Sequence, residues 1–118
     1  MKKVEAFIRH EAFEPIRIEL LALGFPSLSV IEAKGSGRQA GIVERYRGAE
    51  LTSYLRPKIK LECVVADEDV QTVVDTILKH GSTGNVGDGK IFVIAVEQAW
   101  RVRTGESGEA ILQPHPGQ

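Results

Sequence analysis

The sequence predicts an α+β domain in which an antiparallel sheet carries two helices on one face. Three observations predict it. Segments 2–10 and 59–65 alternate apolar and polar side chains, the period of a half-buried strand. Val70, Val73, Val74, Ile77 and Leu78 recur at i, i+3, i+4, i+7 and i+8, the spacing of an amphipathic helix. The order strand–helix–strand is met twice, on either side of an aperiodic centre, although no repeat of residue identity is visible. At 118 residues the chain reads as one domain, 1–112, with a flexible tail at 113–118 that holds Pro114, Pro116 and Gly117.

The first strand covers Lys2 to His10, with Val4, Ala6 and Ile8 facing one way and Lys3, Glu5 and Arg9 the other. Glu14-Pro15 starts a helix, since proline is tolerated where its missing N–H is not needed. Ile16, Leu20 and Leu23 give that helix its apolar stripe beside Phe13, and Gly24 is its C′ stop. A second strand follows over Ser27 to Lys34, after the Phe25-Pro26 turn. From Gly35 to Pro57 the pattern disappears among glycines and charges. A stretch of that length without periodicity reads as a functional loop between strands two and three. A hairpin extension is the alternative, because Ile42-Val43 and Tyr46 could pair.

Ile59, Leu61, Cys63 and Val65 then form a third strand. Asp67 is the expected N-cap of the second helix, Glu68 and Asp69 suit its positive end, and Gly81 closes it. The fourth strand is the run Ile91 to Val96, and Trp100 to Arg103 reads as a further short strand. The order βαββαβ is the ferredoxin-like arrangement. Its second sheet face must be solvated or covered. Apolar residues on both sides of the strands (Val64 and Val65; Phe92, Val93 and Ile94) argue for cover by another subunit, sheet against sheet.

Fifteen basic against sixteen acidic residues give a net charge of −1, so no global field favours nucleic acid or a membrane surface. No apolar run reaches the roughly 18 residues of a spanning helix, and the start MKKVEAFIRHE lacks a signal-peptide core. The protein is expected to be soluble and cytoplasmic. The single cysteine, Cys63, excludes an internal disulfide and reads as a buried strand residue.

Ser82 to Phe92 is the most chemically suggestive stretch. Three glycines and Lys90 precede an apolar run, and Gly84-x-x-x-x-Gly89-Lys90 fits most of the P-loop pattern. Ile91 stands where a magnesium-holding Ser or Thr belongs, and a strand follows where a P-loop opens a helix. The stretch is therefore a phosphate cradle of another kind, or a plain glycine-rich connection. An enzymatic role would have only His10 and His80 as bases, since His115 lies in the tail, and neither sits in a motif. No enzyme activity is expected.

Four segments resemble one family. Lys34-Gly-Ser-Gly-Arg-Gln39, Tyr46-Arg-Gly-Ala-Glu50, Thr83-Gly-Asn-Val-Gly-Asp-Gly-Lys-Ile-Phe92 and Arg101-Val-Arg-Thr-Gly-Glu106 make the chain similar to the PII signal-transduction proteins, trimeric sensors of nitrogen and carbon status, over residues 1 to about 112. The resemblance implies a homotrimer with a site for ATP or ADP in each cleft between subunits. One side of the cleft would hold Gly37, Arg38 and Gln39 with Gly87, Asp88, Gly89 and Lys90; the other, Ser29, Glu62, Val64, Arg101 and Arg103. It also implies Mg with ATP, its protein ligand the amide oxygen of Gln39, and 2-oxoglutarate held by Gln39 and Lys58. The physical reading agrees, since backbone N–H groups and Lys90 can cradle the β-phosphate and Arg101 and Arg103 at i, i+2 on a strand would aim at the same phosphates.

The long loop, with Tyr46, Arg47, Glu50 and Leu51, would dock on a regulatory target such as an ammonium channel, a transporter or a metabolic enzyme. This chain departs from the family there. Leu51 replaces the tyrosine that is uridylylated in relatives, Ala49 replaces a serine phosphorylated in others, and Ala40 replaces a lysine after Gln39. These departures leave a second expectation open, a divergent PII-like sensor of AMP or bicarbonate with a dedicated transporter or enzyme.

Overall fold

The computed structural model of the chain describes residues 1–35, 42–46, 49–53 and 56–112. Strand β1 (Lys2–Ile8) buries Val4, Ala6 and Ile8 and turns Lys3, Glu5 and Phe7 to the other face, as the alternation requires. It ends at Ile8, two residues earlier than expected. His10–Ala12 form a 3-10 turn, closed by the Ala12 N–H donating to the Arg9 carbonyl, that leads into helix α1 (Phe13–Ala22). Pro15 is thus third in α1 rather than first, which remains harmless because none of the opening N–H groups has an intrahelical acceptor.

Helix α1 buries Ile16 and Leu20 and stops as the glycine predicted. Gly24 has φ of 94°, its N–H donates to the Leu21 carbonyl at 3.1 Å and the Phe25 N–H donates to the Leu20 carbonyl at 2.8 Å. That pair of bonds is a Schellman motif. Strand β2 (Ser29–Gly35) follows, and then β3 (Ile42–Tyr46) pairs antiparallel with β4 (Ala49–Ser53) in a separate two-stranded ribbon. The hairpin, the alternative reading of the aperiodic stretch, is therefore the observed one. The ribbon stands apart from the main sheet, so its register is not tied to the period-two pattern that the sheet's core imposes.

Strand β5 (Arg56–Val65) lies beside β1 in antiparallel register, setting Val4 opposite Cys63, Ala6 opposite Leu61 and Ile8 opposite Ile59. Helix α2 (Val70–Gly81) starts after a 3-10 turn at Asp67–Asp69. Asp67 does not cap it. Its carboxylate instead accepts from the N-terminal ammonium at 2.6 Å and from Lys2 at 3.2 Å. The expected stripe holds for Val73 and Ile77, which are buried, and for Val70 and Val74, which pack on the core; Leu78 stays exposed. Gly81 is the helix's last residue and lies buried against Ile16.

Strand β6 (Gly89–Ala95) completes an antiparallel sheet of order β2-β5-β1-β6, the expected ferredoxin-like arrangement. Alternate residues of β1 and β5 join Ile16, Leu20, Val73 and Ile77 in one core, which places both helices on one face. Fully burying each of these large side chains contributes roughly 1.5–3 kcal/mol.

The opposite face is a mosaic. Lys3 reaches Glu62 at 3.1 Å and Glu5 at 3.4 Å, and Lys60 lies 3.8 Å from Glu5 and 3.9 Å from Glu62. Phe7 and Phe92 meet edge to face with centroids 6.3 Å apart. Phe92 and Ile94 of edge strand β6 are exposed on this face, as is Ile31 on the other edge, and Val93, in register with Val4, is exposed at the rim of the helix side.

The expected strand at Trp100–Arg103 does not form. The Arg101 N–H donates to the Glu106 carbonyl, the Gly105 N–H donates to the Arg101 carbonyl, and Val102–Thr104 close a tight turn with only a Trp100–Ser107 bridge. A 3-10 helix at Gly108–Leu112 ends the described chain, and the tail at 113–118 lies outside the described residues.

Candidate functional site

The loop between α2 and β6 is built around one carboxylate. Asp88 accepts from the Thr83 N–H at 2.7 Å, the Gly84 N–H at 2.9 Å, Arg9 Nε at 3.0 Å and the Thr83 hydroxyl. The Thr83 hydroxyl oxygen in turn accepts from the Asn85 N–H at 3.2 Å. Hydrogen bonds from the Thr83 hydroxyl and amide, then Arg9 and the Gly84 amide, hold the Asp88 carboxyl well below the usual carboxylate range. Donation to an ionised acceptor makes such bonds the strong ones of their kind.

Two cations grip the loop's carbonyls. Arg9 Nη2 donates to the Val86 oxygen at 2.9 Å, and Lys58 Nζ donates to the Gly87 oxygen at 2.5 Å. The described chain has no cis peptide, so C=O and N–H of each unit point opposite ways. The amides of Gly87 and Asp88 are therefore each turned away from the cation that holds their peptide's carbonyl. Gly84, Gly87 and Gly89 take φ of 84°, 103° and 107°, the region a glycine-rich anion cradle uses.

Beside the loop runs an open groove of about 330 Å³ with a floor of Ile8, Val74, Ile77 and Ile91 and with Lys90 among its lining residues. A second cavity, about 320 Å³, lies at the start of β5 among His10, Glu32, Pro57 and Lys58. Lys58 thus belongs both to this cavity and to the glycine loop. Among the described residues no cluster of three or more His, Cys, Asp or Glu could hold a metal ion, and no helix is long and apolar enough to cross a membrane.

The residues expected to share a ligand fall into two sets. Gly87, Asp88, Gly89 and Lys90 gather at the end of the sheet where Gly89 pairs with Ile8, and Lys58 joins them. Ser29 and Glu62 face each other in register, and Val64 follows Glu62 on the same face. Glu62 lies three positions along β5 from Ile59, the residue in register with Ile8, and Val64 lies five, so roughly 10 and 17 Å separate the two sets along the strand. One chain does not bring them together.

Arg101 is half-buried against Glu106 at 3.5 Å and donates to the Ile111 carbonyl at 3.2 Å, and Arg103 sits exposed in the turn. The i, i+2 alignment expected of these arginines is absent, because it required a strand. Gly37, Arg38, Gln39 and Arg47 lie outside the described residues; Tyr46 ends β3, and Glu50 and Leu51 lie in β4. Sequence reasoning missed Arg9 and Thr83. Arg9 looked like one more solvent-facing charge; only the pairing of Ile8 with Gly89 reveals that it ends beside the loop.

Comparison with known proteins gives one answer. The family model described as nitrogen regulatory protein P-II matches residues 1–106. The nitrogen regulatory protein P-II 2 of Methanothermobacter thermautotrophicus is 50% identical over 109 residues, 92% of this chain and 95% of that protein. The P-II protein of Klebsiella oxytoca and the P-II 1 protein of Escherichia coli are each 46% identical over 112 residues, 95% of this chain and all of theirs.

Proposed function

The chain belongs to the nitrogen regulatory protein P-II family, and from that membership we propose that it is a non-enzymatic, cytoplasmic signal-transduction protein that binds ATP or ADP between the subunits of a homotrimer. The observation that carries the reading is the glycine loop, whose carbonyls are tied back by Arg9 and Lys58 so that the Gly87 and Asp88 amides are free to face an anion. Lys90 at its exit adds a point charge suited to phosphate.

Arg101 and Arg103 would come from the neighbouring subunit, together with Glu62 and Val64, which supports a site completed by assembly: the register holds Glu62 and Val64 apart from the loop within one chain. The exposed apolar strand β6 and the part-apolar open face of the sheet favour the same conclusion. Magnesium bound with ATP would neutralise phosphate charge, with Gln39 as its protein ligand. Lys58 would pair a carboxylate of 2-oxoglutarate.

Ligand occupancy would then bias the conformation of the segment that carries β3 and β4, by as much as its affinity differs between conformations. That segment would dock on a target, an ammonium channel, another transporter or a metabolic enzyme. Leu51 and Ala49 offer no hydroxyl for the covalent switches of relatives, so small-molecule occupancy would carry the signal alone. The same two residues motivate the second reading, in which AMP or bicarbonate is the effector.

Isothermal titration of the purified protein with ATP, ADP, AMP and bicarbonate, with and without Mg and 2-oxoglutarate, tests both. ATP or ADP binding at micromolar concentrations is expected. Absence of any heat with millimolar nucleotide would refute the first reading, and ATP binding indifferent to 2-oxoglutarate would remove that effector.

A further inference from the structure

We propose that Asp88 and Arg9 are positioning residues, an internal brace that holds the 83–89 loop in its anion-accepting shape before any ligand arrives, and that the Asp88 carboxylate itself does not touch the nucleotide. The proposal rests on the nucleotide reading above for its affinity test alone. A carboxylate has about four lone-pair positions. At Asp88 four donors fill them: Arg9 Nε and the Thr83 hydroxyl on one oxygen, the Thr83 and Gly84 amides on the other. No acceptor position remains for a ribose hydroxyl or a metal ion.

Electrostatics points the same way. An unpaired carboxylate close to a polyphosphate would repel it, whereas this one is neutralised by a guanidinium 3.0 Å away. Arg9 does more than pair the charge. From the end of β1 it grips the loop at two points, the Asp88 side chain and the Val86 carbonyl, so the peptide between Val86 and Gly87 cannot rotate without breaking a charge-assisted bond. The strand anchors the loop, and the loop's amides face outward as a result.

The sign of one substitution separates positioning from contact. If Asp88 merely stood near the phosphates, Asp88→Asn would remove a repulsive charge and tighten ADP binding. If Arg9 touched phosphate directly, Arg9→Met would weaken binding while Asp88→Asn did not. A shared brace predicts that both weaken it, each by about tenfold or more, and that the double variant is within roughly threefold of the worse single one, since groups acting as one unit are not additive.

The test is calorimetry with ADP on the full chain and its Arg9→Met, Asp88→Asn and doubly substituted forms, with amide hydrogen exchange of residues 83–89 measured without ligand. Same-sign, non-additive losses with faster loop exchange and unchanged exchange in α1 support the brace. Tighter ADP binding by Asp88→Asn, opposite signs, or additive losses overturn it. Should the unsubstituted protein take neither ADP nor ATP, the nucleotide reading fails by itself; the exchange comparison then decides, and loop exchange unaltered by either substitution overturns the brace. Thr83→Val, which deletes one donor to Asp88, replaces Asp88→Asn if that variant does not fold, and carries the same expectations.

Discussion

Gly89 sits where two demands meet, the turn of the glycine loop and the pairing of the sheet, and a single methyl group separates them. A Cβ at this position would lie 1.7 Å from the Phe7 oxygen, 2.7 Å from the Phe7 carbonyl carbon and 3.3 Å from Ile8 Cα, while real Cβ atoms essentially never come within 3.0 Å. Either β1 or the loop would have to move by more than an ångström. β1 is an inner strand, and its Ile8, 2% exposed, is locked in the core. The φ of 107° adds the cost of a left-handed L-residue, roughly 1–2 kcal/mol. Displacing a packed strand costs roughly 1–3 kcal/mol more.

Gly89→Ala is therefore expected to destabilise by about 2–5 kcal/mol, a large share of the roughly 5–15 kcal/mol that holds a domain folded. Gly84→Ala is the control: its φ is 84° but nothing lies within 4 Å of the added carbon, so only the backbone term of roughly 1–2 kcal/mol applies. Urea unfolding followed by circular dichroism at equal protein concentration reads both. With slopes of about 1–3 kcal/mol/M, Gly89→Ala should lower the midpoint by about 1 M or more. Equal losses from the two alanines, within about 0.5 kcal/mol, would show that the approach to Phe7 is soft and that the close-contact reasoning is wrong.

Three other outcomes follow from the same structure. The N-terminal ammonium, then Lys2, hold the Asp67 carboxyl below the ordinary value of 3.8, so its stabilisation is present above that pH and is lost as pH falls through the lower folded value. Thermal melts should show Asp67→Asn below the unsubstituted protein near neutral pH, with the gap narrowing as the pH falls below 3.8; a constant gap contradicts the assignment. Burial pushes the Cys63 thiol up to about 11, so a disulfide reagent at neutral pH should modify it only as fast as the protein unfolds; rapid stoichiometric labelling of the native protein contradicts this. Phe92→Asp places a charge on the open sheet face, and light scattering should find the unsubstituted protein at three times the 12.9 kDa chain mass and the variant smaller; equal masses contradict cover of that face by a second copy.

Legibility in the sequence tracked how much each element depends on a buried face. β1, β5 and α2 bury one side each, and burial imposes periods of two and 3.6, so Val4, Ala6, Ile59, Leu61, Val73 and Ile77 could be named in advance. Gly24 was legible for a different reason, since a helix stop needs a positive φ locally and glycine supplies it. Asp67 was misread because a cap and an ion pair look alike in sequence; the N-terminus that claims it is 66 residues away. Trp100 to Arg103 alternates like a strand, yet Gly105 and Gly108, with φ of 75° and 72°, turn the chain before a ladder can form.

The candidate site divides along the same line. Its glycines and Lys90 are contiguous, so local chemistry reveals them. Its organisation depends on register, because Gly89 opposite Ile8 is what delivers Arg9 to Asp88 and to the Val86 carbonyl. Lys58 reaches the Gly87 carbonyl by a comparable route, from a strand that pairs with β1 on its other side. Two basic residues that sequence treats as unrelated, one in a run of surface charges and one at the end of a loop, thus converge on adjacent peptides. That convergence is a property of antiparallel pairing. It explains how a stretch resembling a P-loop keeps a defined shape with no helix behind it: the hydrogen bonds that order the loop come from side chains near the ends of two neighbouring strands.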